Sequence, residues 1–360
     1  MDNAYNSYLL DVAHPDGSSH VPVNGLHHFS IICSVREGEY YALAPNTEVF
    51  ASLAVAINMG LEMLEAESGR QALSELGYAF VTSQAAHPEG VAFTGSLSRM
   101  NEYVDHFLER VRNRYPLVAV HQENNKVIAS TSPGCGSTSL DDFNPEDAGM
   151  ITYNIERVNA MVVVHDSSMR ATRPQDKRAY EDRWRGFIFT FACATLHELA
   201  GLFTSYLSLG HIYHPRFESE ESRVGGRWLE CRLYGGSLEI YKSRIHGPNN
   251  PGMLFLIDEG YNVHRIDPIA IIQFVANPQL QQYQFPLPSI GEILTSEELR
   301  VLGVESNGST SSRGIPLPHN AHVIRNLASW PSLQRYSIGI HDLRQRRSVA
   351  STNLRIATGT

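Results

Sequence analysis

W-R-G-F-I-F-T-F-A-C-A-T-L-H-E-L-A-G-L-F-T-S-Y-L-S-L-G, running from Trp184 to Gly210, decides the fold. It has no proline, and large apolar residues return at helical spacing at Phe187, Phe191, Leu199, Phe203, Tyr206 and Leu207. The pattern predicts a helix over 184–210, with Gly210 at the expected stop. A helix apolar nearly all round belongs inside a large core. His197, with Glu198 beside it, interrupts the apolar run. Steps of three or four residues from His197 reach Thr190, Cys193, Ala194, Gly201, Thr204, Ser205 and Ser208. That face is small and mildly polar, so it is expected to line a space around His197 and Glu198, the candidate catalytic residues.

The rest of the chain bounds the class. With 360 residues it can bury a large core, and residues 1–300 are expected to form a single domain followed by a linker and basic tail over 301–360. Apolar and charged fractions of 42% and 19% are those of a globular protein. The formal charge of -9 argues against a general nucleic-acid surface. Cys33, Cys135, Cys193 and Cys231 are far apart, with no C-x-x-C pair, which excludes a zinc ribbon and argues against a disulfide framework. Cys135 lies between two glycines and has no basic neighbour in sequence to lower its pKa, so it reads as a plain loop thiol. No basic segment leads into an apolar core at the start, and no run reads as a membrane span, so a cytoplasmic protein is expected. The sequon at Asn307 is then incidental.

In chain order, His14, His20, His27, His28 and Cys33 fit no metal-ligand spacing, and G-L-H-H-F-S-I-I-C-S-V reads as a short strand. Glu48–Leu76 is helical with an apolar face at Phe50, Leu53, Ala54, Ile57, Leu61 and Leu64 and a break near Ser68-Gly69. Asn101–Arg112 is a third helix. Leu117–His121 and Lys126–Ser130 read as strands of a hairpin turned by Glu123-Asn124-Asn125. Ile151–Ile155 and Ala160–His165 are strand candidates, the near-continuous A-M-V-V-V-H run pointing to a central strand. Met169–Arg185 is charged and leads into the organising helix. Residues 254–257 suggest a strand and 270–275 a helix. Ser306–Arg313 has linker composition, and the last thirty residues set Arg335, Arg344, Arg346, Arg347 and Arg355 against Asp342 alone, the pattern of a solvated tail.

An H-E-x-x-H helix places two histidines one turn apart to hold zinc, with the glutamate as general base on the bound water. Here the run is Ala194-Thr195-Leu196-His197-Glu198-Leu199-Ala200-Gly201, followed by Gly226-Arg227-Trp228-Leu229-Glu230 and Leu233-Tyr234-Gly235-Gly236-Ser237-Leu238-Glu239-Ile240-Tyr241. These blocks, with Leu64–Leu73, resemble zincin-fold, metallopeptidase-like proteins of filamentous fungi, which pair a "TLLHELAH" helix with a "GEAGRxLE…LFGGxxEFY" segment. The likeness covers about residues 50–76 and 150–288. It implies an α+β fold, a mixed sheet packed on long helices, with His197 on a buried central helix beneath a cleft.

The departures bear on function. The second histidine position is Gly201, and the acidic ligand of the family's "GEAG" aligns with Val224. A catalytic zinc site ordinarily has three protein ligands, and two of the three are missing. If zinc were retained, His197 would need His211, His214 or Glu221. His211 is fourteen residues past His197, about 21 Å along a continuing helix. The expectation is no metal cofactor and a small organic ligand in a cleft lined by Thr190, Ala194, Gly201, Ser205, Val224 and Arg227. His197 and Glu198 would do isomerase-, cyclase- or dehydratase-type acid–base chemistry there. The alternatives are a zinc hydrolase with substitute ligands, a binding pseudoenzyme, and a structural role in which His197 meets a carbonyl and Glu198 an arginine such as Arg227. No nucleic-acid or membrane partner is expected.

Overall fold

The computed structural model describes residues 26, 29–36, 39–85, 93–122, 127–212, 225–243, 249–257, 263–276, 287, 293–294, 315–316 and 333–336. The helices are α1 (Glu48–Glu65), α2 (Glu67–Ala85), α3 (Met100–Asn113), α4 (Ile155–Arg170), α5 (Pro174–Leu207), α6 (Gly225–Tyr234) and α7 (Pro268–Ala276), besides single turns at Leu97–Arg99 and Pro145–Ala148. The strands before α7 are β1 (Ile31–Arg36), β2 (Glu39–Ala42), β3 (Leu117–His121), β4 (Ala129–Pro133), β5 (Gly149–Asn154), β6 (Ser237–Ser243), β7 (Met253–Ile257) and β8 (Val263–Arg265). The class is α+β, a mixed five-stranded sheet packed with long helices, as expected.

The organising helix begins ten residues earlier than its apolar run. Pro174 sits in the first turn of α5, where its missing N–H has no helical partner to lose, and Asp176 complements the helix dipole. The charged segment before Trp184 is therefore mostly the wet first three turns of the same helix. From Gly186 to Leu207 every residue is buried. The helix closes at Ser208, and the chain turns through left-handed Leu209 (φ 55°) and Gly210 (φ 89°). The Gly210 N–H donates to the Ser205 carbonyl at 2.7 Å, the long bond of a Schellman turn. By length and composition α5 is apolar enough to cross a membrane, contrary to the expectation of no such run, but its apolar window is wholly enclosed by the fold. It packs against α1, α4, α6, α7 and β4.

The sheet order is β2-β1-β3-β5-β4. β1, β3 and β5 are parallel, and β2 and β4 are antiparallel edges. The expected hairpin is thus opened: β5 inserts between β3 and β4 and pairs with both. Glu123–Lys126 lies outside the described residues. Local turn chemistry cannot reveal that a later strand takes the central place.

Ala160–His165 is not a strand but the middle of α4. Asn154 caps that helix, its Oδ1 accepting the Glu156 N–H at 3.0 Å. Val158, Met161 and Val164 are buried at helical spacing, whereas Val163 is 44% exposed. Tertiary burial of one stripe outweighs the strand preference of three valines. Val163→Ala should change stability by under about 0.5 kcal/mol and Val164→Ala should cost about 2 kcal/mol in denaturant unfolding. A central strand would bury both, and equal losses at the two positions would contradict the helix.

The break predicted near Ser68-Gly69 falls two residues earlier, at Ala66, with a 73° bend between α1 and α2. Gly69 is still required: a Cβ there would stand 2.1 Å from the Met63 carbonyl oxygen. A second, antiparallel sheet has the order β8-β7-β6 and then the strand Leu333–Tyr336. Part of the segment read as a flexible tail therefore pairs with β6. Most of that tail, the linker, and His14, His20, His27 and His28 lie outside the described residues.

Candidate active site

Adjacent residues on a helix point about 100° apart, and α5 uses this to serve two neighbours. Thr195 and Glu198, three apart, meet the sheet. The Thr131 hydroxyl of β4 donates to Glu198 Oε2 at 2.6 Å, and Tyr153 Oη of β5 lies 2.6 Å from Thr195 Oγ1. Thr131 is paired with Ile151, so the two-residue period of β5 puts Thr131 and Tyr153 on the same face. Cys193 and His197, four apart, meet α6. His197 Nδ1 lies 2.7 Å from Glu230 Oε1, and Tyr234 Oη donates to Cys193 Sγ at 3.6 Å.

The His197–Glu230 pair is buried, the two side chains being 5% and 1% exposed. Because an ionised carboxylate only accepts, Glu230 as a carboxylate pairs with the Nδ1–H tautomer of His197. The other carboxylate oxygen of Glu230 accepts the Leu238 N–H at 3.0 Å, where β6 begins. One acid thus ties α5, α6 and β6 together. Gly226 completes the contact from α6. A Cβ at that position would stand 2.4 Å from His197 Cγ and Cδ2 and 2.5 Å from Nδ1, so the helix backbone lies flat on the ring.

Burial holds the thiol and phenols packed around α5 in their neutral forms. Burial pushes the Cys193 thiol far up, which removes it as a nucleophile. Burial likewise raises the Tyr153 and Tyr234 phenols.

His197 and Glu198 are thus adjacent in sequence but face different partners. Of the expected pocket residues, Thr190, Ala194, Gly201 and Ser205 are all buried on α5, and Thr190 Oγ1 donates back to the Gly186 carbonyl at 2.9 Å. Arg227 is buried on α6. Val224, His214 and Glu221 lie outside the described residues. His211 is described, exposed just beyond the helix end. Among the described residues, the group of three metal-capable side chains brought together is Glu48, His165 and Asp166, which does not include His197. Two cavities, of about 530 and 210 Å³, are lined by other residues, around His106 and Arg110 and around Gly186 and Pro251.

The sequence reading names Glu230 only as the end of the G-R-W-L-E block, with no role, and leaves out Thr131. Glu230 did leave a signal: it lies four residues after Gly226 and three before Leu233, on the buried stripe of α6. An acid on an inward stripe needs a partner. Thr131 left none, because only the sheet register aims it at α5. Searches for similar proteins found no matching family model, no matching curated protein and no matching solved structure.

Proposed function

We propose that this chain is an enzyme of zincin-like ancestry whose His197–Glu230 pair performs acid–base chemistry on a small organic molecule in the cytoplasm, without the peptidase zinc. The observation that carries the reading is the 2.7 Å contact between His197 Nδ1 and Glu230. With the proton held at Nδ1, the basic lone pair of the neutral ring resides on Nε2. When Nε2 takes a proton from a substrate, the buried carboxylate stabilises the imidazolium that forms. The same ring can return the proton to another atom of the substrate, which suits isomerisation, cyclisation or dehydration. Thr131 holds Glu198 against the sheet, which leaves Glu230 to orient the histidine. Replacement of the two zincin donors by Gly201 and Val224 argues for metal-independent chemistry.

A second reading rests on the same contact. Metal-bound histidines commonly donate their other ring N–H to a carboxylate, so Glu230 also fits the outer partner of a zinc ligand. The two readings part on chelation. The full chain would be incubated, with and without chelator, with a small-molecule extract of a filamentous fungus and followed by mass spectrometry. The expected result is depletion of one or a few compounds that persists in chelator and is lost in His197→Ala. Depletion that stops in chelator and returns with zinc, in His165→Ala as in the parent, would establish the zinc reading instead. Depletion unchanged in a folded His197→Ala protein would remove the pair from the chemistry.

A further inference from the structure

Far from His197 along the chain, three donors converge where the start of α1 meets the end of α4. Glu48 occupies the first turn of α1, and His165 and Asp166 occupy the last turns of α4. One ligand atom from each lies within 4.8 Å of the other two. His165 Nδ1 is shut off from solvent and has no hydrogen-bond partner. It points at Glu48 Oε2 across 3.6 Å, too far for a hydrogen bond. A buried nitrogen left in this state costs free energy unless something satisfies it. The imidazole also packs on Trp184 of α5, with ring centroids 5.4 Å apart, and Trp184 Nε1 donates to Ser52 of α1 at 3.4 Å. This contact restricts the ring before any ligand arrives.

The two carboxylates are crowded as well. Glu48 and Asp166 each set a carboxylate oxygen within 4.8 Å of the other. The cation seen near them is Arg170, which approaches Asp166 Oδ2 at 3.3 Å from an 81% exposed side chain and can be displaced into water. We propose that Glu48, His165 and Asp166 bind a divalent transition-metal cation of the zinc or cobalt type. One imidazole nitrogen and two carboxylate oxygens are a borderline donor set, which favours such ions over calcium or magnesium. Metal–donor distances of about 2.0–2.2 Å bring tetrahedral ligand atoms to about 3.4 Å from one another. His165 stays fixed, and the half-exposed Glu48 and the similarly placed Asp166 close the remaining gap by rotating their side chains. The ion would pin the N-terminus of α1 to the C-terminus of α4.

The test is titration of the chelator-stripped full chain with zinc by calorimetry and with cobalt by tryptophan fluorescence, since a paramagnetic ion against His165 quenches Trp184. Parent and His197→Ala should each take up one equivalent at this site, with quenching. Asp166→Asn and Glu48→Gln should weaken binding by at least about tenfold, comparable to or above the loss of an outer partner, and His165→Ala should abolish it. The Asp166 and Glu48 changes are at partly exposed side chains, so they serve even if His165→Ala fails to fold. The inference is overturned if the parent binds neither ion at micromolar concentration, or if Asp166→Asn and Glu48→Gln bind as the parent does. Uptake lost in His197→Ala but kept in His165→Ala would also overturn it, by placing the ion at His197.

Discussion

Glu230→Ala should lower the stability of the fold by about 3–5 kcal/mol, the scale seen when one partner of a buried ionisable pair is removed. Both carboxylate oxygens are engaged, one by His197 Nδ1 and one by the Leu238 N–H, and the side chain is 1% exposed. Truncation strands a buried imidazole and a buried amide together and leaves a cavity as well. Denaturant unfolding measures the loss, and a change below about 1 kcal/mol would show that Glu230 does not hold these elements together. Glu230→Gln separates stability from chemistry. Its amide matches the carboxylate in volume and can still accept from Leu238, so the chain should stay folded. Facing an amide N–H, His197 Nδ1 must become the acceptor, and the proton moves to Nε2. Conversion of the substrate should then fall by about 10²–10⁴-fold, the range attributed to a positioned acid or base. Nitrogen NMR of His197 should report the tautomer change directly. Unchanged conversion in a tautomer-switched protein would exclude Nε2 as the base.

Gly226→Ala should destabilise by about 2–3 kcal/mol, whereas Gly225→Ala one residue earlier should be neutral or stabilising by up to about 1 kcal/mol. At 226 the new Cβ meets the His197 ring at 2.4 Å, and that ring is held by its short contact to Glu230 and cannot retreat cheaply. At 225 the nearest atoms are the Ala200 carbonyl oxygen and Thr204 Cγ2, each at 3.7 Å, which is ordinary contact. The alanine there keeps its advantage in helix propensity. A clear loss at 226 and no loss at 225 are the expected observations in thermal or denaturant melts. Equal effects would mean that α6 does not lie on His197 as described.

The sequence alone determined the buried helix around His197, because period-3.6 apolarity without proline leaves few other outcomes. It also determined the helix over Asn101–Arg112 and the isolation of His197 and Glu198 as polar residues in an apolar helix. In each case the information is local, carried by residues within a turn or two of one another. Tertiary structure decided the rest. It turned A-M-V-V-V-H into a helix, since burying Val158, Met161 and Val164 on one stripe outweighs the valines' strand preference. It placed β5 between β3 and β4, a long-range pairing that no turn between them encodes. It also chose the partners. His197 and Glu198 read as a unit in sequence because they are adjacent, yet 100° of helical rotation sends one to Glu230, thirty-three residues on, and the other to Thr131, sixty-seven residues back. Polar partners inside a core are set by which surfaces meet, and that follows from the packing of whole elements rather than from the spacing of residues along any one of them.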